Sequence, residues 1–255
     1  MTSMRDHLPY AIRQFENDIV IPIKVFGLDA SITSLSTAKM TTAALVIVYL
    51  NYAMRFPAVV PGRLQMSAEW IYSFVRDTVL RIAGPEGAQA IPFVFTLYVF
   101  ILVGTLVGLS PVHDTFTSSL IVTLALSTTV FIYVNALGMQ KFGIAFFRRF
   151  LPSGVPLFIA PILIFVELIS YLFRPITLGF RLFANIFAGH VMLKLFADFC
   201  TMLIAAFGPL GVIASILPVV VMVLLFACEV IVVFIQCYIF MLITTMYLRD
   251  ALRRH

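Results

Sequence analysis

An all-α polytopic membrane protein is the fold class that the sequence predicts. Of its 255 residues, 62% are hydrophobic and only 11% charged, and the mean hydropathy is +1.06. A soluble domain is about 45–50% apolar and about 25% charged, so a globule of this composition could not cover its surface with polar groups. Apolar runs long enough to cross a bilayer recur along the chain, and the last of them carry ionisable residues spaced singly. These observations exclude a soluble enzyme, an exported disulfide scaffold and a disordered tail. The expected architecture is one membrane domain over residues 1–255. It holds about five membrane-crossing helices and one amphipathic surface helix, the last two spans being long and strongly tilted as a hairpin.

Residues 1–36 form an N-terminal tail in which Arg5, Asp6, Arg13, Glu16, Asp18, Lys24 and Asp29 alternate with apolar residues. It has no apolar core followed by a cleavage site, so it is not expected to be a signal peptide. The first span is 37–54, closed by Arg55 and Pro57. Residues 63–84 place Leu64, Ile71, Phe74, Val75, Leu80 and Ile82 among Arg63, Glu69, Arg76, Asp77 and Arg81. Such a helix is too charged to cross and is expected to lie on the membrane surface. A helical hairpin follows over 91–139, its spans 91–110 and 117–139 joined by SPVHDTF, where His113 and Asp114 are expected to be solvated. A basic loop, QKFGIAFFRRFLPSGVP, then leads to a long tilted hairpin over 155–248.

Simple hydropathy fails on that last region. GPLG at 208–211 is its only strong turn signal, and residues 212–248 carry a single charge, Glu229. A helix of that length measures roughly 55 Å, against a hydrocarbon core of about 30 Å, which is why tilt is expected.

The net charge of +5 is read as topogenic loop charge, with no nucleic-acid partner implied. Segment 55–92 holds Arg55, Arg63, Arg76 and Arg81, the next loop Lys141, Arg148 and Arg149, and the tail Arg249, Arg253 and Arg254. The loops at 111–116 and 208–211 hold no Lys or Arg. The N-terminus is therefore expected outside, and the C-terminus on the cytoplasmic or matrix side. Cys200, Cys228 and Cys237 have no C-x-x-C spacing and are expected to be small buried hydrophobes.

An ionisable residue in a span costs about 2.5–3.5 kcal/mol on insertion scales, so a functional reading is the default. Glu167, Arg174 and Arg181 lie seven apart, which keeps them near one helix face, and Asn185 four residues on extends it. His190, Lys194 and Asp198 follow at steps of four on the opposite side. Glu229 and Gln236 share a face of the final helix. Counted outward from GPLG, His190 is level with Glu229, within reach of a hydrogen bond or a shared water. Arg181 is near-level with Gln236. Imidazole suits proton relay, whereas a guanidinium never releases its proton and serves as a fixed cation.

Bland readings stand beside these. Arg174 and Lys194 can snorkel or pair locally, Glu167 can neutralise Arg174, and His190 can be a satisfied core histidine. Arg181 resists such a reading, because no acid stands three or four residues to either side of it. The roles of Arg174, Lys194, Asp198, His113 and Asp114 are left unassigned. A proton-coupled secondary transporter is the alternative, but no internal repeat is visible. A haem or quinone subunit would need paired intramembrane His ligands, and His190 is the only His in a span. No cofactor and no metal are expected. The chain has no phosphate-binding glycine loop, so any nucleotide chemistry is expected on other chains.

The string RPITLGFRLFANIFAGH at 174–190 resembles the signature of subunit a of the F-type ATP synthase, the stator half of its membrane proton channel. The likeness extends over the first span, the surface helix, the GLSP-containing hairpin and the long final pair. It implies that Arg181 is the essential arginine facing the rotating ring of c subunits. It further implies that Asn185 and Gln236 flank that arginine, that His190 and Glu229 pair in the outer half-channel, and that Glu167 belongs to the inner one. Thr177 occupies a position that is often Ser. The implied partners are the c-ring, b-type subunits of the peripheral stalk and membrane lipid. The implied location is a bacterial inner membrane rather than a mitochondrial one.

Overall fold

The structure is a computed structural model that describes residues 19–21, 24–25, 28–29, 32–55, 58–109, 119–143 and 160–252. The first eighteen residues, the loop with His113 and Asp114, Arg148 and Arg149, residues 155–159 and the last three residues lie outside these.

Four short strands come first. β1 (Ile19–Ile21) pairs antiparallel with β4 (Ile32–Thr33), and β2 (Lys24–Val25) with β3 (Leu28–Asp29). From Ser34 onward all regular structure in the described residues is helical. The helices are α1 (Ser34–Ala53), α2 (Arg63–Ala83), α3 (Ile91–Gly108), α4 (Leu120–Phe142), α5 (Ala160–Phe207), α6 (Pro209–Ala214) and α7 (Ile216–Leu252). A 3-10 turn, Pro85–Ala90, feeds directly into α3. The chain is an all-α polytopic membrane protein.

By length and composition four segments can cross a membrane: Pro85–Gly108, Leu120–Phe142, Ile162–Phe207 and Pro209–Leu252. The 20-residue α1 is not among them, because its first half, SLSTAKMTT, is too polar. Its Thr41 and Thr42 hydroxyls both donate to the Ala38 carbonyl at 2.9 Å. The same device hides hydroxyls in the later spans, where Thr123, Ser127, Thr244 and Thr245 each donate to a carbonyl three or four residues earlier. A hydroxyl satisfied within its own helix asks nothing of lipid.

α2 owes its position to one face and two ends. Ala68, Val75, Val79 and Ala83 recur at helical spacing and are all buried, while Trp70 on the other side is 71% exposed. At its start, the buried Gln65 side chain accepts from Ala58 N–H and donates to Ala58 C=O, both at 3.2 Å, fixing the preceding turn. At its end, Gly84 takes a φ of 73° and donates its N–H to the Leu80 carbonyl, a left-handed exit open to glycine.

α5 runs for 48 residues without a break and contains Pro175; α7 runs for 37. Each far exceeds the roughly 20 residues that an upright span needs. The GPLG turn is narrower than the sequence suggests: Gly208 alone turns, at φ 52°, and Pro209 already begins α6. Pro218 stands in the first turn of α7, where a missing N–H costs nothing. Large apolar side chains such as Phe165, Phe173, Phe180, Leu217, Leu224 and Ile235 are exposed along both helices. Such a surface suits lipid or partner helices, not water. Cys200 and Cys237 are buried as expected, but Cys228 is exposed on this apolar surface.

The chain divides into two units. One comprises residues 1–45, 102–119 and 183–236, the other residues 46–101, 120–182 and 237–255. In the second unit, Phe93 and Tyr133 stack with centroids 3.8 Å apart, joining α3 to α4. α5 meets α4 there so closely that a Cβ on Gly179 would lie 2.7 Å from Ser127 Oγ and 2.9 Å from the Thr123 carbonyl oxygen. Small residues on both sides permit that approach.

Candidate functional site

The polar residues of α5 and α7 fall in both units. In the first, Asn185 Nδ2 donates to Gln236 Oε1 at 2.8 Å. Gln236 is 3% exposed, and its Nε2 is buried with no hydrogen-bond partner among the described residues. One helical stretch away lies Glu229, 8% exposed, with neither carboxylate oxygen partnered. Its neighbour on α5 is Gly189: a Cβ there would stand 2.5 Å from Glu229 Oε1 and 2.8 Å from its Cδ. A side chain at this position would make the acid leave its present place.

Counting from the turn therefore predicted the depth correctly, since the residue level with Glu229 adjoins His190. The expected imidazole–carboxylate hydrogen bond is not formed. Gly189 packs against the acid, and the adjacent His190 is half-buried on the stretch of α5 that also carries Lys194 and Asp198. A buried amide N–H left unpaired costs about 1–3 kcal/mol, and a carboxylate costs more. Such groups are the candidates for function on these two helices.

In the second unit, Glu167 is exposed on α5 and Arg174 is partly buried. Neutralisation of Arg174 is the bland reading of Glu167; the guanidinium meets Asp250 of α7, Nη1 to Oδ2 at 3.3 Å. The rings of Tyr171 and Tyr247 also bracket it, with centroids 5.4 and 5.3 Å from Cζ. A seven-residue spacing is too long for a contact along one helix, whereas an antiparallel neighbour brings a carboxylate level with the guanidinium. Tyr171 OH donates to Asn135 Oδ1, and Asn135 Nδ2 to the Phe131 carbonyl at 2.7 Å, so α4 joins the cluster. Sequence reasoning missed Asn135, Tyr171, Tyr247 and Asp250. The available signals were an Asn within an apolar span and an acid placed where the tail was read as purely basic.

Arg181 lies within electrostatic reach of Tyr247 but outside the ion pair of that cluster. It is exposed and forms no ion pair among the described residues, while Leu178 and Leu182 on the same helix are 1% and 0% exposed. The helix buries its leucines and leaves its guanidinium outward. Among the described residues no three His, Cys, Asp or Glu side chains gather to hold a metal ion.

Residues 35–249 match the family model described as ATP synthase A chain. Among similar proteins is the ATP synthase subunit a of Maricaulis maris, 45% identical over 94% of this chain and 96% of its own length. That of Bartonella tribocorum is 39% identical over 98% of both chains, and that of Gluconacetobacter diazotrophicus 43% identical over 94% and 96%. With the match running from α1 nearly to the end of α7, the chain belongs to the ATP synthase subunit a family.

Proposed function

We propose that the chain is the proton-translocating stator subunit of a rotary ATP synthase. It offers two offset aqueous half-channels to a ring of c subunits, and Arg181 separates them. The observation that carries this reading is Arg181 itself, an outward guanidinium on an apolar helix that forms no ion pair among the described residues. A permanently charged group at that depth needs a counter-ion from elsewhere, and a ring carboxylate that alternates between neutral and ionised supplies one.

In this mechanism protons enter from the outer side past Glu229 and His190 and neutralise a ring carboxylate. The neutral carboxylate turns through lipid, where an ionised one would be too costly. It returns to an inner aqueous path near Glu167, releases its proton and meets Arg181, whose fixed charge blocks leakage between the two paths. Asn185 and Gln236 flank the arginine, their mutual bond holding α5 and α7 in register beside it. A potential of 100 mV contributes about 2.3 kcal/mol per charge moved, and that energy turns the ring.

The same reading places the chain in a bacterial inner membrane with α1 as a fifth crossing, the N-terminus outside and the C-terminus in the cytoplasm. Its partners are the c-ring, the b-type stalk subunits and lipid. The unbroken α5 and α7 weigh against a secondary transporter, whose binding sites use interrupted helices. The assembly is tested by mild solubilisation and purification through a tag on this chain. An oligomeric ring of small two-helix subunits should accompany it, and its absence from an intact preparation would defeat the reading.

A further inference from the structure

Two arginines stand on α5 in the second unit, seven residues or about 10 Å of helix rise apart, and they are treated differently. Arg181 is outward and forms no ion pair among the described residues, whereas Arg174 is held by Asp250 and bracketed by two tyrosine rings. Tyr171 is itself fixed by its hydroxyl's bond to Asn135, and it is 8% exposed. The Arg174 side chain is 25% exposed and Asp250 46%, so the cluster is open enough that the cation would be mobile without its acid. Simple neutralisation does not require two aromatic rings about the guanidinium, one of them tied to a third helix.

We propose that Asp250 is a positioning residue for rotation: it captures Arg174 so that Arg181 alone is presented to the carboxylates of the ring. This rests on the reading of Arg181 as the ring-facing cation. Released from Asp250, Arg174 becomes a second positive charge two turns away, which competes for the incoming carboxylate and opposes proton release on the inner side. Tyr171 and Tyr247 hold the flat faces of the guanidinium, and Asn135 keeps Tyr171 in place. The capture is needed only because Arg174 is cationic.

The test measures ATP-driven proton pumping by inverted membrane vesicles carrying the whole synthase, with the amount of this chain followed by immunoblot. Asp250→Asn should lower the pumping rate about ten-fold, the scale set by two unit charges about 10 Å apart at an effective dielectric constant of about 20. Arg174→Gln alone and the double variant Arg174→Gln/Asp250→Asn should pump within about two-fold of wild type, a margin near the noise of small surface effects. A merely structural tether predicts the opposite pattern, all three variants equally impaired, and that result overturns the proposal. Normal pumping by Asp250→Asn overturns it too. If Asp250→Asn does not accumulate, the double variant decides: near-normal pumping supports capture, and lost pumping refutes it. Arg181→Ala serves as the control. If that variant pumps normally, the functional reading itself has failed; if it is dead while Asp250→Asn pumps normally, only the capture has failed.

Discussion

Replacing Gly189 with Ala places a methyl carbon where Glu229 now packs. The new Cβ would lie 2.5 Å from Oε1, 2.8 Å from Cδ and 3.1 Å from Cγ, where ordinary contact begins at 3.4 Å. The carboxylate must therefore retreat by about 1 Å, or α5 and α7 must part by as much, and overpacking of this kind costs about 1–3 kcal/mol. If the acid must return to its present place for each proton it passes, a cost of about 2 kcal/mol slows transfer about thirty-fold. Ala favours the helix over Gly by about 1 kcal/mol, so local helix formation does not suffer and the chain should still accumulate. The assay is the rate of ATP-driven pumping per assembled complex in inverted vesicles. Adding Glu229→Asp withdraws the carboxylate by one methylene, so the double variant should exceed the product of the two single effects. Full-rate pumping by Gly189→Ala, or strict multiplicativity in the double variant, would refute the steric argument.

Two further outcomes follow from the same packing. Gly179→Val puts bulk against Ser127 Oγ and, at 2.9 Å from the Cβ position, the Thr123 backbone oxygen, which cannot swing aside. Membrane levels of the chain should fall, with a stability loss of about 1–3 kcal/mol in detergent melting, and a melt unchanged from wild type would contradict the close helix approach. Asn185→Leu leaves the buried Gln236 amide with no partner for its Oε1 as well as its Nε2. A cost of about 1–3 kcal/mol is expected, largely relieved in Asn185→Leu/Gln236→Leu when thermal stability of the assembled complex is compared; no relief would mean that the pair is not coupled.

Much of the fold was legible because a membrane leaves few choices. The alternation of charge and bulk over 63–84 predicted an amphipathic helix, which α2 is, and the apolar runs on either side of GPLG had no turn residues to interrupt them. Equal counting from the turn at Gly208 set His190 level with Glu229, and its neighbour Gly189 adjoins the acid, whereas the closeness of Asn185 to Gln236 was foreseen only through the family resemblance. What counting along a helix cannot supply is the side-chain direction between neighbours. Hence, of the hydrogen bond or shared water expected between His190 and Glu229, no direct bond forms among the described residues, and Arg174, for which Glu167 was the bland alternative as neutraliser, pairs with Asp250. Asn135 and Tyr171 went unremarked because single polar groups in apolar helices gain meaning only from a contact across helices. α1 reads as a span from its last twelve residues and not from its first, where hydroxyls bonded within the helix lower the average hydropathy.

The central claim is that Arg181 meets the ring carboxylates and separates the two proton paths. Its most direct test is Arg181→Ala in inverted vesicles holding a normal amount of assembled synthase, with proton uptake followed on addition of ATP. No coupled pumping is expected. Uptake at close to the wild-type rate would contradict it.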